Sequence, residues 1–301
     1  MPRVSIIVPA FNTGPLIEQT LSTVVHQTFG DWEIIVADDG STDRTADLAA
    51  GVDPRVRVVA TAGRLGPAGA RNTALALASG ELVAFLDADD LLLPRFLEHQ
   101  VAVFDRESAG DGPPVGIVAC DARVRTPEGE DGPTFLERIP GEIEPLTIER
   151  LLVRNRIYVS ALVPRAAGEE VGWFDPGLFG TEDHDLWIRI LETGRRAVLN
   201  REVLAVYRHV PGSVSSNVAR QAVNDGLTCS RALERGRLSP AQQRIAERQV
   251  KYHRVRAAVA DARFNRRPGD LVRQLPAAAG VVVGNRERWG EWARALTGRR
   301  S

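Results

Sequence analysis

The chain has 301 residues, of which 44% are hydrophobic and 26% charged, and its formal net charge is -1. These values fit a soluble protein that buries one substantial core and carries an appendage. No apolar run reaches the roughly 18 to 20 residues that span a bilayer, and two isolated cysteines, Cys120 and Cys229, exclude a disulfide framework. Because residues 1–3 lead directly into a strand pattern, no signal peptide is expected, and the expected location is a reducing cytoplasm.

The first predicted strand covers residues 4–8 and runs into a polar loop at residues 9–12. Apolar side chains then recur at helical spacing over residues 16–24. The pattern ends near residues 27–30, where a helix is expected to stop.

A second predicted strand at residues 32–37 ends in two carboxylates, Asp38 and Asp39. Ser41 is the expected N-cap of the helix that follows. Strand, helix and strand in this order predict a parallel sheet with right-handed crossovers, so that acidic strand ends lie along one edge. Asp38 can equally be a turn or cap residue.

A third short strand at residues 57–59 precedes a glycine-rich loop at residues 63–72, which opens a helix through Ala78. Backbone amides at a helix start favour anions, and Arg71 adds a donor fork for phosphate. The spacing is neither that of a Walker loop nor that of a dinucleotide fingerprint, which disfavours ATPase and dinucleotide functions.

The most informative stretch is the buried-strand pattern at residues 83–86, which runs directly into Asp87, Ala88, Asp89 and Asp90. Open α/β sheets bind ligands beyond the carboxyl ends of their strands. Carboxylate oxygens there suit Mg²⁺ or Mn²⁺, which completes its shell with substrate phosphates. Asp90 is expected to cap a helix over residues 91–102, with a metal role as the alternative.

Taken together, these segments resemble the inverting family 2 glycosyltransferases, which are nucleotide-diphospho-sugar transferases. The resemblance rests on VSIIVPAFN, on DDGSTD at residues 38–43, on GPAGARN and on FLDADD. A fifth piece is GWFD at residues 172–175 followed by GTEDHDLW at residues 180–187, similar to the family's acceptor-side segment. The five pieces occur in the family's order and cover roughly residues 3–215.

The resemblance implies an α/β fold of the GT-A type, in which helices flank a Rossmann-like, mainly parallel sheet. The expected glycosyltransferase domain is residues 1–217. Its nucleotide-sugar half is residues 1–114 and its acceptor half is residues 115–217, with polar connections expected at residues 104–114 and 127–141. Residues 218–301 would form a basic, helical C-terminal extension.

For the donor site, the resemblance implies that Asp39 hydrogen bonds the base or ribose and that Arg71 contacts the base or diphosphate. Asp87 and Ala88 would lie near the ribose and sugar, and Asp89 would ligate Mn²⁺ or Mg²⁺ between the phosphates. The loop expected to flank the base consists of Pro9, Ala10, Phe11 and Asn12.

For catalysis, the resemblance implies that Asp183 is the general base, on a helix over residues 182–191 that Thr181 caps. Glu182, Asp185 and Trp187 are the accompanying acceptor or support residues. Neighbouring carboxylates would raise the pKa of Asp183 and the helix start would lower it, and the sequence leaves that balance open. Asp185 can equally be an ordinary first-turn acid, and Trp187 is expected on the buried face of the helix, with a place in the acceptor pocket as the alternative.

A donor-site closure is expected after the last core strand, where Arg208 and His209 precede a glycine-serine loop at residues 212–215. His209 is a further candidate metal ligand, with a surface or packing role as the alternative. In the extension, helices are expected over residues 241–264 and again from residue 271.

The near-zero net charge hides two oppositely charged regions. Residues 1–217 hold 20 Arg and 32 acidic residues, net -12, whereas residues 218–301 hold 18 basic and 7 acidic residues, net +11. The basic region either docks on the acidic core or contacts an anionic membrane. Nucleic-acid binding is not expected, because the region lacks interleaved aromatic residues.

The predicted function is therefore that of a cytoplasmic, metal-dependent, inverting glycosyltransferase of the hexosyltransferase type, with peripheral membrane contact as an open point. A UDP-sugar is the expected donor and a glycan or lipid-linked molecule is the expected acceptor, in synthesis of cell-surface polysaccharide, glycolipid or natural-product glycans. The alternatives are an inactive scaffold that binds nucleotide sugars or carbohydrate, and a sugar nucleotidyltransferase.

Overall fold

The computed structural model describes residues 1–210 and 218–264. The predicted loop at residues 212–215 and the predicted helix from residue 271 lie outside these residues. The helices are α1 (Gly14–Val25), α2 (Thr45–Ala50), α3 (Gly66–Leu75), α4 (Phe96–Ser108), α5 (Ile148–Val153), α6 (Arg165–Val171), α7 (Glu182–Glu192), α8 (Val218–Glu234) and α9 (Pro240–Phe264). The strands are β1 (Val4–Ala10), β2 (Trp32–Asp38), β3 (Val56–Ala60), β4 (Leu82–Phe85), β5 (Leu91–Leu92), β6 (Val115–Arg125), β7 (Asp131–Thr134), β8 (Leu162–Pro164) and β9 (Arg196–Arg208).

One sheet organises the described residues, with strand order β3-β2-β1-β4-β8-β6-β9-β5 and with β7 paired to β6. The first four strands are parallel, as predicted, and β1 pairs in register with both β2 and β4. Ala10 of β1 lies opposite Asp38 of β2, and Ile7 lies opposite Phe85 of β4. The acidic residues that follow β2 and β4 therefore meet at one edge of the sheet.

The strands of the first half read as nearly continuous apolar runs because the sheet is buried on both faces. Residues 4–8 of β1 are all buried, and so is the whole of β4. In the second half, β8 runs antiparallel to both β4 and β6, whereas β6 and β9 are parallel.

Two predicted helix caps are wrong. Ser41 does not cap α2, which begins at Thr45, and its hydroxyl instead accepts a hydrogen bond from the backbone of Asn12. Asp90 does not cap a helix either, because Leu91 and Leu92 form a strand against β9 and α4 begins only at Phe96. Pro94 explains part of this delay, since it disfavours helical backbone in the residue before it.

Two predicted connections contain regular structure. The helix α4 continues to Ser108, so the first connection is shorter than expected. The connection predicted at residues 127–141 includes β7, which pairs antiparallel with β6.

The helices α8 and α9 pack together, and they contact the core through α7 and α5, respectively. Arg235, directly after α8, donates to Asp185 at 2.8 Å and to Glu192 at 2.9 Å, and the side chains of both acids are fully buried on α7. Part of the basic extension is thus neutralised by the acidic core. Among the described residues, no helix has the length and apolar character needed to cross a membrane.

Asn72 of the GPAGARN segment fixes α3 to the loop before α7. Its side-chain amide donates to the Phe174 carbonyl at 2.8 Å and accepts from the Phe174 amide at 3.1 Å. Removal of this amide leaves two poorly hydrated backbone groups without partners, so Asn72→Ala should lower the free energy of unfolding by about 2 kcal/mol. Urea denaturation measures the change.

The matched control is Thr73→Ala, because the Thr73 hydroxyl bonds only the Gly69 carbonyl of its own helix. Its effect should stay within about 0.5 kcal/mol. Equal urea midpoints for the two variants would show that the hydrogen bonds of Asn72 to Phe174 contribute nothing to stability.

Candidate active site

A cavity of about 730 Å³ opens at the sheet edge where the acidic strand ends meet. It brings together most of the predicted site residues, including members from both halves of the fold. The predicted residues that line it are Pro9, Ala10, Phe11, Asp39, Arg71, Asp87, Ala88, Asp89, Glu182 and Asp183. The structure does not place Asn12, Asp185, Trp187 or His209 on its wall.

Three carboxylates form the floor of the cleft. One oxygen each of Asp87, Asp89 and Asp90 lies within 4.8 Å of the others. Burial, followed by the charge of Asp87, raises the pKa of Asp89 to about 6. Burial and the charges of Asp89 and Asp87 raise the pKa of Asp90 well above its ordinary value. A donor set made only of carboxylate oxygens fits Mg²⁺ or Mn²⁺.

The three carboxylates differ in what already holds them. Asp90 accepts from the Tyr158 hydroxyl and, at 2.8 Å, from the Arg208 backbone amide. Asp87 accepts from Arg71 at 2.5 Å. The Asp89 carboxylate accepts from its own backbone amide, and no other residue in the described part of the chain donates a hydrogen bond to it, so it is the least occupied of the three.

Thr20 and Arg208 fix the turn that carries these carboxylates, a role that the sequence did not predict for them. The Arg208 guanidinium donates to the Asp89 carbonyl and to Thr20 Oγ1, the latter at 2.8 Å. Thr20 in turn donates to the Ala88 carbonyl at 2.9 Å. No short motif could have revealed this, because Thr20 and Arg208 are 188 residues apart.

His209 does not join the acidic cluster. Among the described residues, the grouped ligand atoms come from the three aspartates alone. The His209 ring packs against Tyr207 with a centroid distance of 5.4 Å. Burial, followed by Arg138, lowers its pKa. A metal role for His209 stays a prediction without a contact in its favour.

Arg71 connects the acidic cluster after β4 with the start of α7. Its buried guanidinium donates to Asp87 at 2.5 Å and to Glu182 at 2.7 Å. Burial alone would lower the pKa of Arg71, but the two carboxylates outweigh it and raise that pKa above its ordinary value. Arg71 is therefore a fixed cation at the cleft wall, and its contact with a diphosphate stays a prediction.

The carboxylates of Glu182 and Asp183 are placed for different tasks. Glu182 is occupied, because it accepts from Arg71 and, at 2.5 Å, from the Gly180 amide. Asp183 accepts from the Asn155 side chain at 3.1 Å and from the His184 amide at 2.7 Å. Burial, followed by the charge of Glu182, raises the pKa of Asp183 to about 7. Of the two opposing effects on the pKa of Asp183, those that raise it therefore outweigh the helix start. Asp183 can then accept a proton near neutral pH.

Asp185 and Trp187 do not line the cleft, so of the two roles predicted for them, acceptor contact or support, the structure offers contacts for the supporting role. The Asp185 carboxylate is 1% exposed and pairs with Arg189 at 2.6 Å and with Arg235 at 2.8 Å. Two positions along a helix correspond to a rotation of about 200°, which turns Asp185 away from the face of Asp183. Trp187 is fully buried, as expected for the inner face of the helix, and its ring centroid lies 6.1 Å from that of Phe85. Thr181 is the N-cap residue of α7 by position, but its side chain makes no capping bond.

The remaining wall is built by the loops after β1 and β3. The Asp39 carboxylate accepts from the backbone amides of Leu65 at 2.7 Å and Gly66 at 2.8 Å, so it holds the glycine-rich loop. Gly66 has a φ of 74°, a left-handed conformation that favours glycine. The Arg64 guanidinium lies 3.4 Å from the centroid of the Phe11 ring, and both residues line the cleft.

The chain matches Glycosyl transferase family 2 over residues 5–156. It is 34% identical over 221 residues to TuaG of Bacillus subtilis, whose name assigns it to teichuronic acid biosynthesis, and the match covers 72% of this chain and 82% of TuaG. It is 30% identical over 224 residues to WfaP of Escherichia coli, named a UDP-Glc:alpha-D-GlcNAc-diphosphoundecaprenol beta-1,3-glucosyltransferase, with 74% and 84% covered.

Among solved structures, the mannosyltransferase PcManGT of Pyrobaculum calidifontis, in complex with GDP-Man and Mn²⁺, superposes with a TM-score of 0.64 at 24% identity. The superposition covers 99% of this chain and 88% of that one. This is a likeness of fold, and it confirms the predicted GT-A type of α/β architecture.

Proposed function

The chain belongs to Glycosyl transferase family 2, and on that premise we propose that it moves a hexose from a nucleoside-diphosphate sugar to an acceptor hydroxyl with inversion at the anomeric carbon. The observation that carries the proposal is the placement of Asp183, whose pKa is raised to about 7, in the same cleft as the acidic cluster. One cleft thus combines a proton acceptor with a site for a phosphate-bound cation.

The proposed donor is a UDP-sugar, and its diphosphate lies on the side of the cleft formed by Asp87 and Asp89. A UDP-sugar appears in the name of WfaP, whereas PcManGT holds GDP-Man. In this arrangement the base lies toward Pro9, Phe11 and Asp39. The Asp39 carboxylate already accepts from the backbone amides of Leu65 and Gly66 at the start of α3, so in this arrangement it fixes the loop that lies beside the base.

The proposed metal is Mn²⁺ or Mg²⁺, held by Asp89 and Asp87 while Asp90 stays bound to Tyr158. When bound, the cation supplies positive charge that stabilises the departing diphosphate. Arg71 stands between Asp87 and Glu182 and adds a permanent positive charge at the same wall.

The chemical step proposed for Asp183 is removal of the acceptor proton. The acceptor oxygen attacks the anomeric carbon from the face opposite the diphosphate, the bond between that carbon and the diphosphate oxygen breaks, and Asp183 takes the hydroxyl proton. Asn155 orients the carboxylate through Asp183 Oδ2. Glu182 cannot serve equally well, because Arg71 and the Gly180 amide already occupy its oxygens.

The proposed acceptor is a lipid-linked glycan in the assembly of a cell-surface polysaccharide. The names of TuaG and WfaP support this class, since one refers to teichuronic acid and the other to a diphosphoundecaprenol acceptor. An acceptor of this kind places the reaction at the cytoplasmic surface of a membrane.

The test is transfer from a panel of UDP- and GDP-hexoses to a synthetic N-acetylglucosaminyl-diphospho-lipid in the presence of Mn²⁺. One α-linked donor should give a product with a new β-linkage, as read from the anomeric proton coupling in its NMR spectrum. A product that retains the α-configuration would contradict the proposed role of Asp183, because a single displacement by the acceptor oxygen inverts the anomeric carbon.

A further inference from the structure

The exposed side of α9 carries a row of basic residues. Arg244, Arg248 and Lys251 are exposed, and their spacing places them within an arc of about 60° on the helix. Exposed Arg254 continues the row about 60° further round, and the row extends about 15 Å along the axis. We refer to these four residues as the basic face of α9. Glu247 is the one acidic residue exposed along the same described segment, residues 240–260.

The basic face differs from the other cations of the two C-terminal helices. Arg235 is paired with Asp185 and Glu192, Arg231 with Asp175, and Arg256 with Asp225. None of the four residues of the basic face forms an ion pair within the residues that the structure describes. The basic face therefore carries four positive charges that no ion pair of the described residues neutralises, on one outward side of α9.

The opposite side of α9 fixes this orientation. Ala246, Gln249, Tyr252 and Val255 are buried, and α9 packs against α5 and α8. Rotation of the helix to hide the basic face would expose these side chains. The face is thus a permanent feature of the folded protein.

The same helical hairpin reaches the cleft. Gln221 and Asp225 of α8 line the cavity together with Asp183. Asp225 is tied to α9 through Arg256 at 2.9 Å. A surface that binds the outer side of α9 is thereby linked through one rigid hairpin to the acceptor side of the site.

We propose that the basic face of α9 docks on the anionic lipid headgroups of a bilayer and holds the acceptor side of the cleft close to that bilayer. The choice of a membrane rests on the proposed function, since its acceptor is lipid-linked. Four cations along one side of a helix, with Glu247 as the one acid among them, match a plane of phosphate headgroups. Base stacking on nucleic acid is disfavoured, because the described part of α9 exposes no aromatic side chain.

The experiment is co-sedimentation of the full chain with vesicles of 30% phosphatidylglycerol in phosphatidylcholine, and with pure phosphatidylcholine, at low and high salt. Wild-type protein should bind the anionic vesicles at low salt and lose most of that binding in 0.5 M NaCl, where the Debye length falls to only a few ångströms. Each basic residue near an anionic surface contributes roughly fivefold to binding. The triple variant Arg244→Gln, Arg248→Gln, Lys251→Gln should therefore bind about one hundredfold more weakly.

The matched control removes three exposed arginines of the core, Arg44→Gln, Arg57→Gln and Arg123→Gln, and thus the same net charge. It should bind within about twofold of wild type. Both variants should keep the wild-type melting temperature, which excludes loss of binding through unfolding.

Three results would overturn the proposal: no binding of wild type to anionic vesicles, wild-type binding by the α9 variant, or an equal loss in the core variant. Sedimentation requires no sugar transfer. Vesicle binding by an inactive protein would reject the proposed function alone, and transfer without vesicle binding would reject the docking face alone.

Discussion

Replacement of Asp183 by asparagine is expected to lower the rate of sugar transfer by about one hundredfold or more, the contribution of a positioned general base. Asparagine preserves the volume of the side chain and can keep the contact with the His184 amide, but it cannot take the acceptor proton. Because Asp183 lies on the acceptor side and contacts Asn155, the affinity for nucleoside diphosphate should stay within about twofold of wild type. Initial rates and calorimetric titration of UDP and GDP separate the two effects.

The pH dependence provides an independent readout of the same carboxylate. A general base must be ionised, and the pKa of Asp183 is raised to about 7. Wild-type kcat/KM should therefore be constant above about pH 8 and fall about tenfold per pH unit below pH 6, because Asp183 becomes protonated. In the Asp183→Asn variant the residual rate should lose this dependence.

A suitable control is Asp175→Asn, which alters a carboxylate of the acceptor half that pairs with Arg231 and does not line the cleft. It should transfer sugar at a rate close to that of wild type. A loss of nucleotide affinity as large as the loss of rate in Asp183→Asn would place Asp183 in the donor site. An unchanged rate would contradict the assignment of Asp183 as the general base.

The donor half of the fold could be predicted from the sequence because its information is local. Buried parallel strands are almost uniformly apolar, so β1, β2 and β4 stand out as short hydrophobic runs, and the carboxylates that follow them mark the edge of the sheet. The strand β5 could not be found in this way. It consists of Leu91 and Leu92, which form a strand only because β9, over 100 residues later, lies beside them.

The site residues that directly follow a strand could be predicted from the sequence. Those whose position depends on the rotation of a helix or on contacts with distant parts of the chain could not. Asp183 and Asp185 belong to one acidic run, yet helical geometry sends one into the cleft and the other into an ion pair with Arg235. Tyr158 and Asn155 come from a segment without a recognisable pattern. Their roles depend on the packing that brings that segment against β4 and α7.

Replacement of Asp89 by alanine is the second change with a large expected effect. A phosphate-bound cation provides several kcal/mol of charge stabilisation, so loss of a main ligand should lower turnover by at least about one thousandfold. Folding should be preserved. Burial and Asp87 raise the pKa of Asp89 in the folded protein to about 6. The stability that the protonated carboxyl group contributes is therefore lost as the pH rises from about 4 to 6. At neutral pH the ionised carboxylate of Asp89 destabilises the metal-free fold. The melting temperature of the metal-free variant at pH 7.5 should therefore equal or exceed that of wild type.

The most direct test of a metal-dependent nucleotide-sugar site is calorimetric titration of UDP and of GDP into wild type and Asp89→Ala, each with Mn²⁺ and with EDTA. We expect wild type to bind at least one of the two nucleotides at least about tenfold more tightly with Mn²⁺, since a cation held by Asp89 and Asp87 would supply positive charge to the phosphates. The variant should lose this difference. Equally tight binding in EDTA, or a variant that keeps the full Mn²⁺ enhancement, would contradict the assignment of this cleft as a metal-dependent donor site.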